Sequence, residues 1–352
     1  MAGRGRPQRS DARSDLYGPR AFAGGERMKY RRIGDTELEV SEVGMAVWPL
    51  STDAWRGSDE EALALLRKAY DLGVNFYDTA DVDGHGKGEE LLAKAFAGNR
   101  ELVVLATKVG YDFYNDATAN GVKGSQRWDA DYVRYAVEQS LARLGTDYID
   151  LLQVHHPTIE AVNDEALWRT IEALKEEGKI KYFGAALGPG PGYHDEGVLA
   201  MRKRGATSLS TVYNLLEQDP ARKFFTVALE SMTGILVRNP FASGVLDGTV
   251  AKPEDVRSGG YATARSAPWV REALQKRAKL EWIREGQDMS FPQAALKVYL
   301  WEETVPSILV ETQDATHLAE ACEAPEKADY VREEIAEIAE QYRRNYDVPK
   351  AA

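Results

Sequence analysis

The chain has 352 residues, long enough for one large α/β barrel or for two smaller domains, with a sizeable core in either case. Its 44 Lys and Arg stand against 56 Asp and Glu, a net charge of −12 that disfavours nucleic acid and anionic membrane as partners. One cysteine, Cys322, excludes an internal disulfide and a cysteine-based metal cluster and suits a reducing, cytoplasmic setting; no apolar run approaches the roughly 18 residues of a membrane-spanning helix.

Residues 1–27 carry six arginines against three acids, with apolar residues scattered at no period, and are expected to be a disordered basic tail. That tail holds +3, so the remaining residues carry −15. From Met28 onward strand-like and helix-like segments alternate. Glu39–Val47 is apolar and β-branched and is expected to be one strand. Ser58-Asp59-Glu60-Glu61 is a capping box, followed by Ala62, Leu65, Leu66 and Tyr70 at helical spacing. Val74–Asp78 predicts a short strand, Glu89–Phe96 a helix, Leu102–Thr107 a buried strand, and Asp129–Leu144 a helix stopped by Gly145. Further strands are expected at Ile149–Val154, Ile180–Ala186, Ser208–Tyr213, Gly234–Arg238 and Pro306–Val310. Helices are expected at Asp164–Glu176, Glu196–Lys203, Ala221–Leu229, Phe291–Glu302 and Ala315–Ala324. Eight strands, most separated by a helix, predict parallel βαβ units closing into a (β/α)8 TIM barrel over residues 28–346, with a short tail at 347–352. No G-x-G-x-x-G follows a strand, and the prolines of Gly188–Gly192 make that stretch a loop rather than a phosphate cradle.

Barrel chemistry gathers at the C-terminal ends of the strands. Asp78 ends the second strand, with Asp81, Asp83 and His85 after it. Lys108 ends the third, and His155 and His156 end the fourth. Carboxylate, ammonium and imidazole converging there predict an acid–base site, with one histidine facing the mouth and the other packing. A metal is the rival reading, but the fixed charge of Lys108 in the same mouth opposes a divalent cation.

These residues and their surroundings resemble the aldo/keto reductase superfamily from Met28 to about Tyr346. The likeness rests on MKYRRIGDTELEVSEVG (Met28–Gly44), GVNFYDTADV (Gly73–Val82), ATKVG (Ala106–Gly110), RLGTDYIDLLQVHHP (Arg143–Pro157), EEGKIKYFG (Glu176–Gly184), YNLLEQDP (Tyr213–Pro220) and PFASGVLDG (Pro240–Gly248). It implies a barrel that binds NADP(H) without a Rossmann fold and transfers hydride to an aldehyde or ketone. It also implies a catalytic Asp, Tyr, Lys and His, matched by Asp78, Lys108 and His155. The tyrosine's motif reads Ala80-Asp81-Val82-Asp83-Gly84, which puts Asp83 in the proton donor's place. Tyr77, Tyr111 and Tyr114 are the candidate substitutes, with Tyr77 expected to face the helices by strand alternation.

For the cofactor the resemblance implies the loop Pro240, Phe241, Ser243 and Gly244 at the pyrophosphate. Elsewhere the chain departs from the family. Its Ser-Asn pair after strand five is Ala186-Leu187, and its strand-six Gln is Ser210. Its Pro-Gly-x-Arg after strand eight reads Leu309-Val310-Glu311-Thr312, with the charge of Glu311 where a cation is expected, and its adenine-contacting Asn is Ala321. Three functions follow: an NADP(H)-dependent carbonyl reductase, a non-redox lyase, dehydratase or isomerase using Asp83, Lys108 and His155, or a non-catalytic binding or regulatory protein, a pseudoenzyme. The aromatic residues of Tyr111–Trp128 and Gly248–Trp269 predict specificity loops for an apolar or ring-shaped small-molecule carbonyl substrate.

Overall fold

The computed structural model describes residues 28–115, 124–256 and 265–349. The expected N-terminal tail, the last three residues of the C-terminal tail and the central parts of both expected specificity loops lie outside the described residues.

Ten strands are present. β1 (Tyr30–Arg32) and β2 (Glu39–Ser41) form an antiparallel hairpin. The rest are β3 (Val43–Ala46), β4 (Phe76–Asp78), β5 (Val104–Val109), β6 (Ile149–His155), β7 (Ile180–Ala186), β8 (Ser208–Val212), β9 (Gly234–Arg238) and β10 (Ser307–Val310). These eight pair in parallel and in chain order, and β10 closes back onto β3. All eight correspond to expected strands, and the chain forms the predicted (β/α)8 barrel.

The expected single strand Glu39–Val47 is broken. Ser41 N donates to Asn75 Oδ1 (2.7 Å) and Ser41 Oγ donates to Val43 O (2.7 Å), so the chain turns at Glu42. Its first half pairs with β1, and its second half enters the barrel. Both halves bury apolar side chains, so composition reads them as one. The hairpin plugs the N-terminal end of the barrel: Ile33, Leu38 and Val40 join Phe76, Val104, Ala106, Leu151, Leu236 and Leu309 in one buried cluster. Gly34 makes the close approach there, at φ +49° with an added Cβ only 2.2 Å from Met232 O.

That cluster shows which face of each strand points inward. Leu151 is inside, so Gln153 and His155 are inside; Leu105 and Tyr77 point outward into the larger cluster beneath the helices. The helix after β3 starts at a capping box, with Ser58 N donating to Glu61 Oε2 (2.7 Å) and Glu61 N to Ser58 Oγ (3.2 Å). Gly145 ends Ala130–Leu144 in the left-handed conformation, as expected. Besides the short helices Trp48–Ser51 and Ile159–Asn163, two long helices went unforeseen. Ala267–Lys279 buries only Val270 and Ala273, and Arg332–Arg343 buries only Ile338, so neither carries a strong apolar stripe.

Candidate active site

A cleft of about 800 Å³ opens at the C-terminal end of the barrel. Its floor follows from the alternation. The inward residues that end or follow the strands are Trp48 after β3, Asp78 on β4, Lys108 on β5, His155 on β6, Val212 on β8, Arg238 on β9 and Glu311 after β10, and all line the cleft.

At its centre Lys108 Nζ donates to Asp78 Oδ2 (2.5 Å) and to Thr79 O (2.6 Å). Gln153 Nε2 donates to the other oxygen, Asp78 Oδ1 (2.9 Å). Asp78 and Lys108 are each only 4 % exposed, so the ion pair is desolvated and stands on these extra hydrogen bonds. His155 lines the same cleft, buried, with its pKa held well below the usual imidazole value. Burial is the chief cause, and His156, Lys108 and Arg238 add to it. It is therefore neutral near pH 7. His156 packs beside the mouth: its Nδ1 shares a hydrogen bond with Tyr111 Oη (2.8 Å).

Asp83 sits in the turn after β4, 2 % exposed, and lines the cleft with Asp78, Lys108 and His155. Its amide donates to Ala80 O (3.1 Å). The next residue, Gly84, has φ +56°, and a Cβ there would meet Ser51 O at 1.8 Å, so the turn carrying Asp83 requires glycine. Asp81 points elsewhere. It is fully buried beside Glu89, outside the cleft, and burial pushes its carboxyl well up.

None of the three candidate tyrosines reaches the cleft. Tyr77 Oη donates to Leu66 O (3.2 Å) and Val74 O (3.1 Å) behind the barrel, Tyr114 Oη takes a bond from Arg143 (2.9 Å), and Tyr111 Oη is held by His156. Tyr111, Phe113 and Tyr114 cluster with Ala80 and Val82. The aromatic cleft residues are Trp48, Trp55 and Phe241.

Pro240, Phe241, Ser243 and Gly244 line an arm of this cleft. The turn is left-handed at Asn239, Ala242, Ser243 and Gly244 (φ 51°, 50°, 57° and 94°). Its amides are used internally, Ser243 N on Asn239 Oδ1 (2.7 Å) and Leu246 N on Phe241 O (3.0 Å). Arg265 reaches Ser243 Oγ (3.3 Å) and is anchored by Glu217 (2.8 Å). Glu311 does not face outward. β10 ends at Val310 with Leu309 inside, so Glu311 turns inward, and its Oε1 accepts from Asn239 N (3.0 Å). Arg238 and Gln153 were not singled out as mouth residues from sequence, although counting two from an inward apolar residue would have found both. Among the described residues no group of three or more His, Cys, Asp or Glu is arranged to hold a metal ion.

The aldo/keto reductase family profile matches residues 42–343. The chain belongs to the aldo/keto reductase family. This aldo/keto reductase is 30 % identical over 333 residues to the uncharacterized oxidoreductase YqkF of Bacillus subtilis, covering 92 % of this chain and 99 % of that one. It is 29 % identical over 348 residues to the versiconal hemiacetal acetate reductase of Aspergillus parasiticus, covering 92 % and 98 %. Among solved structures, the holo form of aldo-keto reductase AKR11C1 from Bacillus halodurans superposes with a TM-score of 0.71 at 27 % identity, covering 93 % and 98 %. No helix among the described residues is long and apolar enough to cross a membrane.

Proposed function

We propose that this family member reduces an aldehyde or ketone with a nicotinamide dinucleotide, NADP(H) by family resemblance, at the cleft built on Asp78, Asp83, Lys108 and His155. The observation that carries the reading is continuity: one cleft joins the buried Lys108–Asp78 pair and His155 to the Pro240–Gly244 arm. The arm fits a dinucleotide in part, with Ser243 Oγ and the Arg265 guanidinium placed to donate to phosphate oxygens. When bound, the cofactor would supply the hydride.

The remaining chemistry falls to the chain. A carbonyl accepting hydride develops negative charge on its oxygen. Neutral His155 donates a hydrogen bond to that oxygen, and the ammonium of Lys108, fixed by Asp78 and Thr79 O, supplies positive charge beside it. Gln153 keeps Asp78 turned toward Lys108. Asp83 stands where the family places a phenol, so the donor tyrosine is absent from that turn. The chain therefore works without a positioned tyrosine acid, the alkoxide taking its proton from solvent water, at a cost on the order of 10²–10⁴ in rate. Trp48, Trp55 and Phe241 offer flat apolar surface to the substrate's body.

Titration by Trp fluorescence tests the binding half, since Trp48 and Trp55 line the cleft. No binding of NADPH or NADH at millimolar concentration would overturn the reading. Asp83→Tyr tests the chemical half: kcat for reduction of small aldehydes should rise by about 10² or more while cofactor affinity stays level. A second reading is favoured by one observation, the carboxylates Asp83 and Glu311 lining the same cleft as Lys108. On it the site transfers protons as a lyase, dehydratase or isomerase, and turnover would persist without nicotinamide and fall in Asp83→Asn.

A further inference from the structure

The cleft is acidic. Among the described residues, seven carboxylate side chains line it against four from Lys and Arg, although the ligand proposed above is an anion. Three of the four cations have partners: Lys108 on Asp78, Arg265 on Glu217, and Arg238 on the carbonyl of Leu187. One of the carboxylates holds a central position. Glu311 rises from the end of β10 between the two strands that flank it. It accepts from Asn239 N at the end of β9 (3.0 Å) and from the side chain of Trp48 at the end of β3. Asn239 is also the residue at which the Pro240–Gly244 arm leaves the mouth, since its own Oδ1 holds Ser243 N (2.7 Å). A dinucleotide with its reacting ring at Lys108 and His155 and its phosphates on that arm must pass over this carboxylate.

We propose that Glu311 sets the affinity of this cleft for nicotinamide dinucleotides, holding it low by placing a negative charge against the pyrophosphate. The inference rests on the reductase reading above and adds a specificity determinant to it. Repulsion falls on the phosphates common to NADH and NADPH, so Glu311 weakens both. Burial pushes the Glu311 carboxyl up from its usual value, while the bonds from Asn239 and Trp48 and the charge of Arg238 favour the ionised form, and those two bonds fix the carboxylate in place.

The test compares wild type, Glu311→Gln and Glu311→Asp by Trp fluorescence titration with NADH and with NADPH, with melting curves to show that each variant is folded. Glu311→Gln keeps an oxygen for the Asn239 amide and removes the charge. Its Kd should fall about tenfold for both dinucleotides, the order expected for one charge a few ångströms from a phosphate in a partly solvated cleft. Glu311→Asp keeps the charge and should bind no tighter than wild type. Wild type binding as tightly as Glu311→Gln would overturn this inference and leave the reductase reading standing. Binding by neither protein at millimolar concentration would overturn both.

Discussion

The ammonium of Lys108 and the carboxylate of Asp78 have been taken out of water together, and each is tolerable only because the other is there. Removing one partner of such a pair leaves a buried, uncompensated charge. Lys108→Met should therefore destabilise the fold by about 3–5 kcal/mol in urea unfolding, as well as abolish turnover. The double variant Asp78→Asn with Lys108→Met removes both charges and should recover much of that loss, while activity stays absent. That split separates the structural part of the pair from its chemical part. At this scale the sequence was legible for the meeting of Asp78, Asp83, Lys108 and His155 in one cleft, because strand ends and motif spacing pick them out. It was not legible for the tyrosines: Tyr111 and Tyr114 are engaged by His156 and by Arg143, which are 45 and 29 residues away in the chain.

Elements hold this site by closing the other end of the barrel. The β1–β2 hairpin is tied down by Arg31, whose guanidinium donates to Leu300 O (2.9 Å), Val305 O (3.0 Å) and Glu302 O (3.3 Å) and pairs with buried Glu42 (2.6 Å). One side chain thus joins the plug to the loop that feeds β10. Arg31→Met keeps much of the apolar stem but leaves Glu42 and three carbonyls without this donor. We expect a loss of about 2–3 kcal/mol, read as a lower urea midpoint at unchanged m-value. The turn after β4 is equally demanding. Gly84→Ala forces a Cβ into the carbonyl of Ser51 at a left-handed φ, so both melting temperature and the placement of Asp83 should suffer. The break at Glu42 belongs to this scale too. Apolar composition marks Glu39–Val47 as buried, and only the pairing partners decide that it is two strands in two sheets.

For the molecule as a whole, His155 and His156 are both kept neutral, first by burial and then by neighbouring positive charge. Unfolded histidines take up protons below about pH 6.5, while these two do not until the pH is well below that. The unfolded state then binds more protons, so stability rises with pH through this window. The stability they contribute is complete above about pH 6.5 and is lost as the pH falls, with a slope of up to about 1.4 kcal/mol per pH unit for each histidine. Asp81, whose carboxyl is pushed up by burial, works in the opposite direction, so the contribution is best read as a difference. Between pH 6.5 and 5 the gap in unfolding free energy between wild type and His155→Gln should move in the variant's favour. An unchanged gap would show that His155 is not held neutral.

Taken alone, the sequence determined the eight strand segments, the order of strand and helix that closes them into a barrel, the family, and the strand ends that line the cleft. All of these follow from local patterns: period-two burial, capping residues and motif spacing. Tertiary structure decided what those patterns leave open. It paired Lys108 with Asp78 and took Tyr77, Tyr111 and Tyr114 out of the cleft. It also turned Glu311 inward between Trp48 and Asn239, on the path to the Pro240–Gly244 arm. The physical reason is closure. Only when β10 meets β3 do side chains far apart in sequence share one desolvated mouth, and the partners found there fix their charges and orientations.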